Sequence, residues 1–151
     1  MTGDEASNPR QIRLSALAAA DGAELLKLWG TLGIDPACEV VRGPETGLVA
    51  LRGRIGGGGA PFNFGEATVT RATVRLENGA VGHSIALGRD RRKAKLIAIL
   101  DALAQDPDME SKIETEIVAP MKAAMAKRDA ERGAETAATK VDFFTMVRGE
   151  D

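Results

Sequence analysis

The dipeptide Asn78-Gly79 constrains the fold of this chain more than any other short feature of the sequence. It separates two runs rich in β-branched residues, "EATVTRATVRLE" and "AVGHSIALG", and this arrangement is typical of a β-hairpin with a two-residue type I′ turn. Such a turn places Glu77 opposite Ala80 and thereby fixes the register of both strands. The face predicted to lie on the core carries Thr70, Ala72, Val74, Leu76, Val81, His83, Ile85 and Leu87.

The predicted register separates the single histidine of the chain from the arginines of the hairpin. His83 falls opposite Val74 on the core face, where a structural or interface role is favoured over catalysis. Arg71 and Arg75 fall on the other face, beside residues too small to cover them. Arginines in this setting commonly bind carboxylates or phosphates. The alternative is a solvated face on which the charges are paired.

The segments on either side of the hairpin predict an α+β fold. Two further strand-like segments, "CEVVRG" and "TGLVALRGRI", precede it, so we expect a small antiparallel β-sheet of about four strands. Helical patterns at both ends of the chain predict N-terminal and C-terminal helices packed with this sheet. We expect one domain over residues 1–151, with residues 1–10 disordered and residues 120–140 forming a helical arm.

Composition and charge argue against several classes of function. The net charge of −2 is unlike that of a protein that binds nucleic acid mainly through bulk electrostatics. The single cysteine, Cys38, allows neither an internal disulfide nor a thiolate metal cluster. The sequence has no apolar run of the length that spans a membrane, and "MTGDEASNPR" lacks the features of a signal peptide. We therefore expect a cytoplasmic protein.

Further arginines occur outside the hairpin. Arg52 and Arg54 are predicted to share one face of the preceding strand, and Arg91 belongs to a basic helical turn after Asp90. Positive charge at a helix N-terminus is unfavourable unless an anion or an acidic partner compensates it. The candidate anion-binding or partner-binding residues are Arg52, Arg54, Arg71, Arg75, Arg89 and Arg91.

The four glycines in "RIGGGGAPFNFGEATVTR" do not match a phosphate-binding loop. They are followed by Ala60-Pro61 instead of Gly-Lys-Ser/Thr, and then by a strand instead of the helix that a dinucleotide fingerprint requires. Nothing in the sequence places His83 beside a nucleophile such as Ser84 or Cys38. We predict no catalytic residue and no metal site in this chain, and we interpret the glycines as a connection between two strands.

Two long motifs carry a resemblance to a known family. "RGPETGLVALRGRIGGGGAPFNFGEATVTRATVRLENGAVGHSIALGRD" and the C-terminal "VDFFTMVRGED" resemble the PhnG family, the G subunits of the carbon–phosphorus lyase core complex. The similarity extends from about Gln11 to the end of the chain. It implies assembly with the PhnI, PhnH and PhnJ subunits, and with the ATPase-like PhnL protein, in bacteria that obtain phosphorus from alkylphosphonates.

The resemblance also implies an accessory role in a reaction of several steps. With PhnI, PhnH and PhnL, a G subunit supports transfer of a phosphonate onto ribose C1 of MgATP, with release of adenine. The J subunit later breaks the carbon–phosphorus bond with an iron–sulfur cluster and S-adenosylmethionine. A chain with one cysteine cannot hold such a cluster. We therefore expect no cofactor on this chain alone, with MgATP as a substrate of the complex.

Two interpretations of the arginines follow from the resemblance. Because the substrates are polyanions, the arginines could assist electrostatically at the active site. Alternatively, they bind acidic surfaces of partner subunits, and the chain is then a purely structural member of the complex. The apolar residues Phe143, Phe144 and Met146 near the C-terminus are expected to dock on this domain or on a partner chain.

Overall fold

The computed structural model describes residues 8–54 and 58–139 as an α+β fold, which confirms the predicted class. Helices α1 (Pro9–Ala19) and α2 (Gly22–Leu32) precede a three-stranded antiparallel sheet of order β1-β2-β3. Its strands are β1 (Cys38–Gly53), β2 (Phe62–Leu76) and β3 (Val81–Leu87). Helices α3 (Arg91–Leu103) and α4 (Pro107–Ile113), a π-helical segment (Glu114–Val118) and α5 (Ala119–Ala138) follow.

The N-terminal helix begins earlier than the predicted end of disorder at residue 10. Asn8 caps α1, because its side-chain oxygen accepts a hydrogen bond from the backbone N–H of Arg10 at 2.9 Å. Pro9 occupies the first turn, where its missing N–H costs nothing. Residues 8–10 therefore belong to the folded part of the chain, and residues 1–7 lie outside the described residues.

The described part of the chain forms three strands instead of about four, because two predicted strands are one. The segments "CEVVRG" and "TGLVALRG" form the continuous 16-residue strand β1. The pairing of β1 with β2 is irregular between Val40 and Glu45. Gly43 takes a positive φ of 69° there, and the Gly43-Pro44 bond is cis. The segment "RGPETG", where the two predicted strands meet, thus marks an irregularity within one strand and not a separation between two.

The predicted hairpin at Asn78-Gly79 is present, but the prediction of a type I′ turn and the strand register that followed from it were wrong. Within the described residues, positive φ values occur only at glycines, and Gly79 has a φ of 87°. The N–H of Gly79 donates to Leu76 O at 2.9 Å, and the N–H of Leu76 donates to Ala80 O at 2.9 Å. The loop therefore has three residues, with the left-handed conformation at the glycine alone, which is the other common hairpin geometry.

This shift of one residue exchanges the two faces of β3. Val74 pairs with Gly82 and Thr73 pairs with His83, so the predicted core positions of β3 lie on the exposed face. We call the face covered by α3 the inner face and the opposite one the outer face. On β2 and β3 the inner face carries Thr70, Ala72, Val74, Leu76, Gly82, Ser84 and Ala86, all of which are buried.

The corrected register explains how a chain with so few aromatic residues packs a helix on its sheet. Gly82 faces α3, and a Cβ added there would overlap Ala98 O and lie 2.5 Å from Ala102 N. Ala94, Ala98 and Ala102 form the matching surface of α3. Small side chains on both elements let the helix and the sheet approach closely. A second apolar cluster packs α1, α2, α3 and the segment 113–121 together.

Two buried polar side chains connect α1 to α3. The Asp101 carboxylate receives hydrogen bonds from Arg10 Nε (2.8 Å), Arg10 Nη2 (2.7 Å) and the backbone N–H of His83 (2.8 Å). Lys93 turns inward and donates from Nζ to the carbonyls of Ala18 and Ala20, both at 2.6 Å. Burial lowers the pKa of Lys93, and the charges of Asp90 and Asp21 oppose this shift.

The last described helix, α5, is largely exposed. In α5 only Met121 is buried, and Gly133 does not interrupt the helix. Arg128 contacts Glu24 of α2 at 2.5 Å, and the residues beyond it are exposed. The apolar C-terminal residues singled out above, Phe143, Phe144 and Met146, lie outside the described residues.

Candidate partner-binding surface

The sheet extends beyond its third strand as a two-stranded ribbon. Leu87, the last residue of β3, pairs with Val69, whereas β1 and β2 continue to the pair Gly53–Phe62. We call residues 47–53 and 62–68 the ribbon. All of its residues are exposed or half-buried. A two-stranded ribbon of this kind is marginally stable in water by itself, so this surface is a candidate for contact with another chain.

Alternation along β1 assigns side chains to the outer face of the ribbon. Glu45 contacts Arg71 on the outer face, and the pairing of β1 with β2 is regular from Glu45 to Leu51. Val49 and Leu51 therefore share that face with Glu45. Between the pairs Leu51–Gly65 and Arg52–Asn63, β2 contains one extra residue, Phe64, which shifts the register. The ring of Phe64 lies against Gly53, and a Cβ added to Gly53 would be 2.9 Å from that ring. Phe64 thus also lies on the outer face.

The outer face exposes large apolar side chains at this end of the sheet. Phe64 is 60% exposed and Leu87 is 71% exposed. The rings of Phe62 and Phe64 meet edge to face, with centroids 6.3 Å apart. On the outer face of this region, the exposed large apolar residues are Leu51, Phe62, Phe64, Ile85 and Leu87, and Leu48 is exposed on the inner face of the ribbon. Several exposed large apolar side chains on one face are typical of an interaction site. Ile85 and Leu87 were predicted to lie on the core face, and Leu51, Phe62 and Phe64 were not among the candidate residues, although "FNF" was a visible signal.

Two of the candidate arginines are held by carboxylates within the sheet. Arg71 Nε and Arg42 Nε both donate to Glu45 Oε1, at 2.6 Å and 2.7 Å. These hydrogen bonds, first that of Arg71 and then that of Arg42, lower the pKa of Glu45 below its ordinary value. Arg75 lies 3.7 Å from Glu39. The interpretation as a solvated face with paired charges thus describes the local geometry of Arg71 and Arg75.

The other candidate arginines are spread over two places and do not join this cluster. Arg52 pairs with Asn63 in the ribbon, and Arg54 follows the end of β1. Arg89 precedes the Asp90 cap of α3, and Arg91 opens that helix. All four are exposed, and among the described residues none of them forms an ion pair. The structure therefore brings Arg71 together with Arg42 and not with the remaining candidates.

The geometry at the histidine differs from the predicted core position. His83 is exposed on the outer face, where its Nδ1 lies 3.2 Å from Thr73 Oγ1. Ser84 points to the opposite face, because its hydroxyl donates to Ala94 O at 2.7 Å. The two side chains therefore cannot act as a base and a nucleophile on the same substrate.

Neither a membrane-spanning helix nor a metal-binding cluster occurs in residues 8–54 and 58–139. The helices of that part lack the combination of length and apolar character that crossing a bilayer requires. The same part holds no group of three or more histidine, cysteine, aspartate or glutamate side chains placed to bind a metal ion. The glycine run, residues 56–59, lies between β1 and β2, as predicted, and residues 55–57 lie outside the described residues.

The fold and the exposed ribbon define a class of protein, namely a small α+β domain with an apolar sheet surface suited to assembly. Comparison with known proteins then gives the family. The family model described as "Phosphonate metabolism protein PhnG" matches residues 8–149, and the chain belongs to this family. A curated relative from Rhizobium meliloti (strain 1021) is the α-D-ribose 1-methylphosphonate 5-triphosphate synthase subunit PhnG. The two are 50% identical over 151 residues, which cover 99% of this chain and 96% of the relative.

Proposed function

We propose that this chain is an accessory subunit of an α-D-ribose 1-methylphosphonate 5-triphosphate synthase. The observation that carries the proposal is the 50% identity, over nearly the full length of both chains, to a subunit of that enzyme. The exposed apolar ribbon supports it, because a subunit needs a surface on which other chains assemble. The complex would transfer an alkylphosphonate to ribose C1 of MgATP with release of adenine, in the cytoplasm.

The catalytic centre of this reaction is proposed to lie on a partner subunit. Displacement of adenine from a nucleotide requires stabilisation of charge that develops on the ribose and on the leaving base. His83 and Ser84 lie on opposite faces of β3, and Cys38 lies at the start of β1. PhnI, PhnH, PhnJ and PhnL are the proposed partners, and the iron–sulfur chemistry belongs to another subunit.

The arginines divide between the two roles left open by the sequence. The arrangement of Arg42, Glu45 and Arg71 favours a role in assembly, because one carboxylate is shared by two guanidinium groups and both retain donors for a second carboxylate. Arg52, Arg54, Arg89 and Arg91 are exposed without ion pairs in the described residues. They remain candidates for contact with a polyanionic substrate. A purely structural subunit is the second candidate function.

An omission experiment tests the proposal. The partner subunits are purified with and without this chain, and adenine release from MgATP is followed in the presence of methylphosphonate. We expect release only when this chain is included with its partners. Release by this chain alone would contradict the accessory role, and full release by the partners without it would contradict its membership in the enzyme.

Substitution of the exposed arginines distinguishes the two candidate functions. Arg52→Ala with Arg54→Ala, and Arg89→Ala with Arg91→Ala, are compared in complexes of equal composition. A lower rate of adenine release in an intact complex would support contact with substrate. Unchanged rates in all of these complexes would favour the purely structural subunit.

A further inference from the structure

Two glycines on the outer face of the ribbon leave open space above the sheet. Gly47 of β1 pairs with Val69, and Gly65 of β2 pairs with Leu51. Neither has a positive φ, so neither backbone conformation requires glycine. A Cβ added to either residue would meet nothing within 4 Å in the described structure. Glycine inside a strand nevertheless destabilises it by roughly 0.5–1 kcal/mol relative to alanine.

Glycine inside a strand often marks either a bulge or a place where another backbone approaches closely. Gly65 adjoins the bulge at Phe64, whereas Gly47 lies where the pairing is regular. The same molecule contains an example on its inner face, where Gly82 admits α3 and a Cβ would overlap Ala98. On the outer face, Gly47 and Gly65 lie on either side of the half-buried Ala67. These three small residues form a narrow diagonal floor, which Val49, the partner of Ala67, borders on one side and Val69, the partner of Gly47, on the other. The floor spans four residues of strand, about 13 Å, which is roughly two turns of a helix.

Apolar side chains border this floor. Leu51 pairs with Gly65, and Leu87 pairs with Val69, the partner of Gly47. Phe64 adds an exposed aromatic ring at the far end. A shallow channel with a glycine floor and apolar walls is suited to the apolar side of a helix, as the small-residue contact with α3 is on the inner face.

One end of the channel is positively charged, which favours an occupant with an acidic side chain there. Arg42 and Arg71 share the single carboxylate of Glu45, each through Nε, so the cluster keeps a net positive charge. Arg71 is in register with Ile85, which is two residues from Leu87 at the channel wall. The Nη groups of these arginines make no hydrogen bond within the described residues, and they complement a carboxylate placed at the edge of the bound helix.

We propose that the outer face of the ribbon is the docking site for an apolar helix of a partner subunit, which carries an acidic side chain at the Arg42–Arg71 end. This inference rests on the proposed function, since it assigns a surface to one contact within the synthase. The C-terminal residues of the same chain are a less suitable occupant. They follow α5, which contacts α1 and the π-helical segment, whereas the channel lies on the face of the sheet opposite α3.

Substitutions that fill the floor test this docking site. Gly47→Val and Gly65→Val introduce β-branched side chains that suit a strand, so we expect the isolated chain to keep its fold, with a Tm equal to or above that of wild type. Co-expression with the other synthase subunits, followed by size-exclusion chromatography, should show at least about tenfold weaker assembly, the scale of an interface hot spot. Gly133→Ala is the matched control, because that glycine is also open to solvent and lies in α5.

The outcomes separate failure of the docking site from failure of the proposed function. If wild type assembles and both valine variants assemble equally well, the docking site is wrong while the proposed function stands. If wild type itself does not assemble, the proposed function fails. A valine variant that lost its fold would be replaced by Phe64→Ser, which changes an exposed side chain, and normal assembly of that folded variant would overturn the docking site.

A photo-crosslinking amino acid at position 51 identifies the occupant. In the assembled complex we expect crosslinks to an apolar helical segment of a partner subunit. Crosslinks to residues 140–151 of the same chain, to a second copy of this chain, or to an extended strand would each overturn the proposal. Their absence in the assembled complex would also overturn it.

Discussion

Arg10 in the first turn of α1 holds the buried carboxylate of Asp101 in α3 through two hydrogen bonds, from Nε to Oδ1 and from Nη2 to Oδ2. The Asp101 side chain is fully buried, whereas that of Arg10 is half exposed. This hydrogen-bonded pair raises the pKa of Arg10. The same carboxylate caps the backbone N–H of His83 at the edge of the sheet. One ion pair thus fixes the N-terminal helix, the central helix and the last strand relative to one another.

Removal of the exposed partner of this pair should destabilise the fold. Arg10→Ala leaves the Asp101 carboxylate buried with one hydrogen bond, and we expect the free energy of unfolding to fall by roughly 3 kcal/mol. Urea denaturation of the isolated chain measures this change. Lys127→Ala is the control, because Lys127 and Glu131 are both exposed and 3.9 Å apart, and it should change the stability by less than about 0.5 kcal/mol. Equal effects of the two substitutions would contradict the role assigned to Asp101.

The close contact between β3 and α3 predicts that Gly82 cannot be replaced. In Gly82→Ala the new Cβ would meet Ala98 O and Ala102 N, which are backbone atoms within a helix and cannot move aside separately. We expect a loss of about 3 kcal/mol, at the upper end of the range for overpacked cores. Thermal unfolding measures it. Gly133→Ala, in the exposed part of α5, should instead be neutral or stabilise by up to about 1 kcal/mol.

The register of the hairpin can be read directly by NMR. Hydrogen-bonded and non-hydrogen-bonded pairs alternate along an antiparallel ladder, and Leu76–Ala80 is a hydrogen-bonded pair. Thr73 and His83, three pairs further on, are therefore a non-hydrogen-bonded pair. Their Hα atoms should therefore give a strong cross-strand nuclear Overhauser effect. The effect between Val74 and His83, which the type I′ turn required, should be absent. The reverse pattern would show that the register predicted from the type I′ turn is correct and that the register described above is wrong.

The shared carboxylate of Glu45 predicts a dependence on pH. Its pKa in the folded protein lies below the ordinary value of 4.5, because Arg71 and Arg42 bind the ionised form. The unfolded chain therefore binds more protons between the two pKa values, so the contribution of Glu45 to stability is present above pH 4.5 and is lost as pH falls through the folded pKa. Titration by carbon-13 NMR should show the low midpoint. Arg71→Gln should move the midpoint toward 4.5, and an unchanged midpoint would disprove the assignment.

The sequence was sufficient for the elements that local signals define. Asn8-Pro9, Asp21 and Asp90 are caps whose side chains satisfy backbone donors, and each marks the start of a helix in the structure. The hairpin itself was also predicted from Asn78-Gly79. Its register was not, because Asn-Gly fits both a two-residue loop and a three-residue loop in which only the glycine is left-handed. The choice between them depends on packing against α3, since only one register places Gly82 under that helix.

The candidate surface was predicted only in part. The sequence pointed to Arg71, which lies on the outer face, but it could not reveal that Glu45 binds both Arg71 and Arg42, because that contact joins residues 26 positions apart. It also could not show that β1 and β2 extend beyond the end of β3, because the ends of strands depend on pairing and not on local preference. The apolar ribbon can therefore be recognised in the structure but not in the sequence.

The measurement that tests this account most directly is the rate of adenine release from MgATP and methylphosphonate as this chain is titrated into its partner subunits. We predict that wild type activates the partners to a plateau, and that the Gly47→Val, Gly65→Val double variant gives little activation at the same concentrations while keeping a Tm equal to or above that of wild type. Equal activation by both proteins would contradict the assigned surface. Release that does not depend on added chain would contradict the role of this protein in the enzyme.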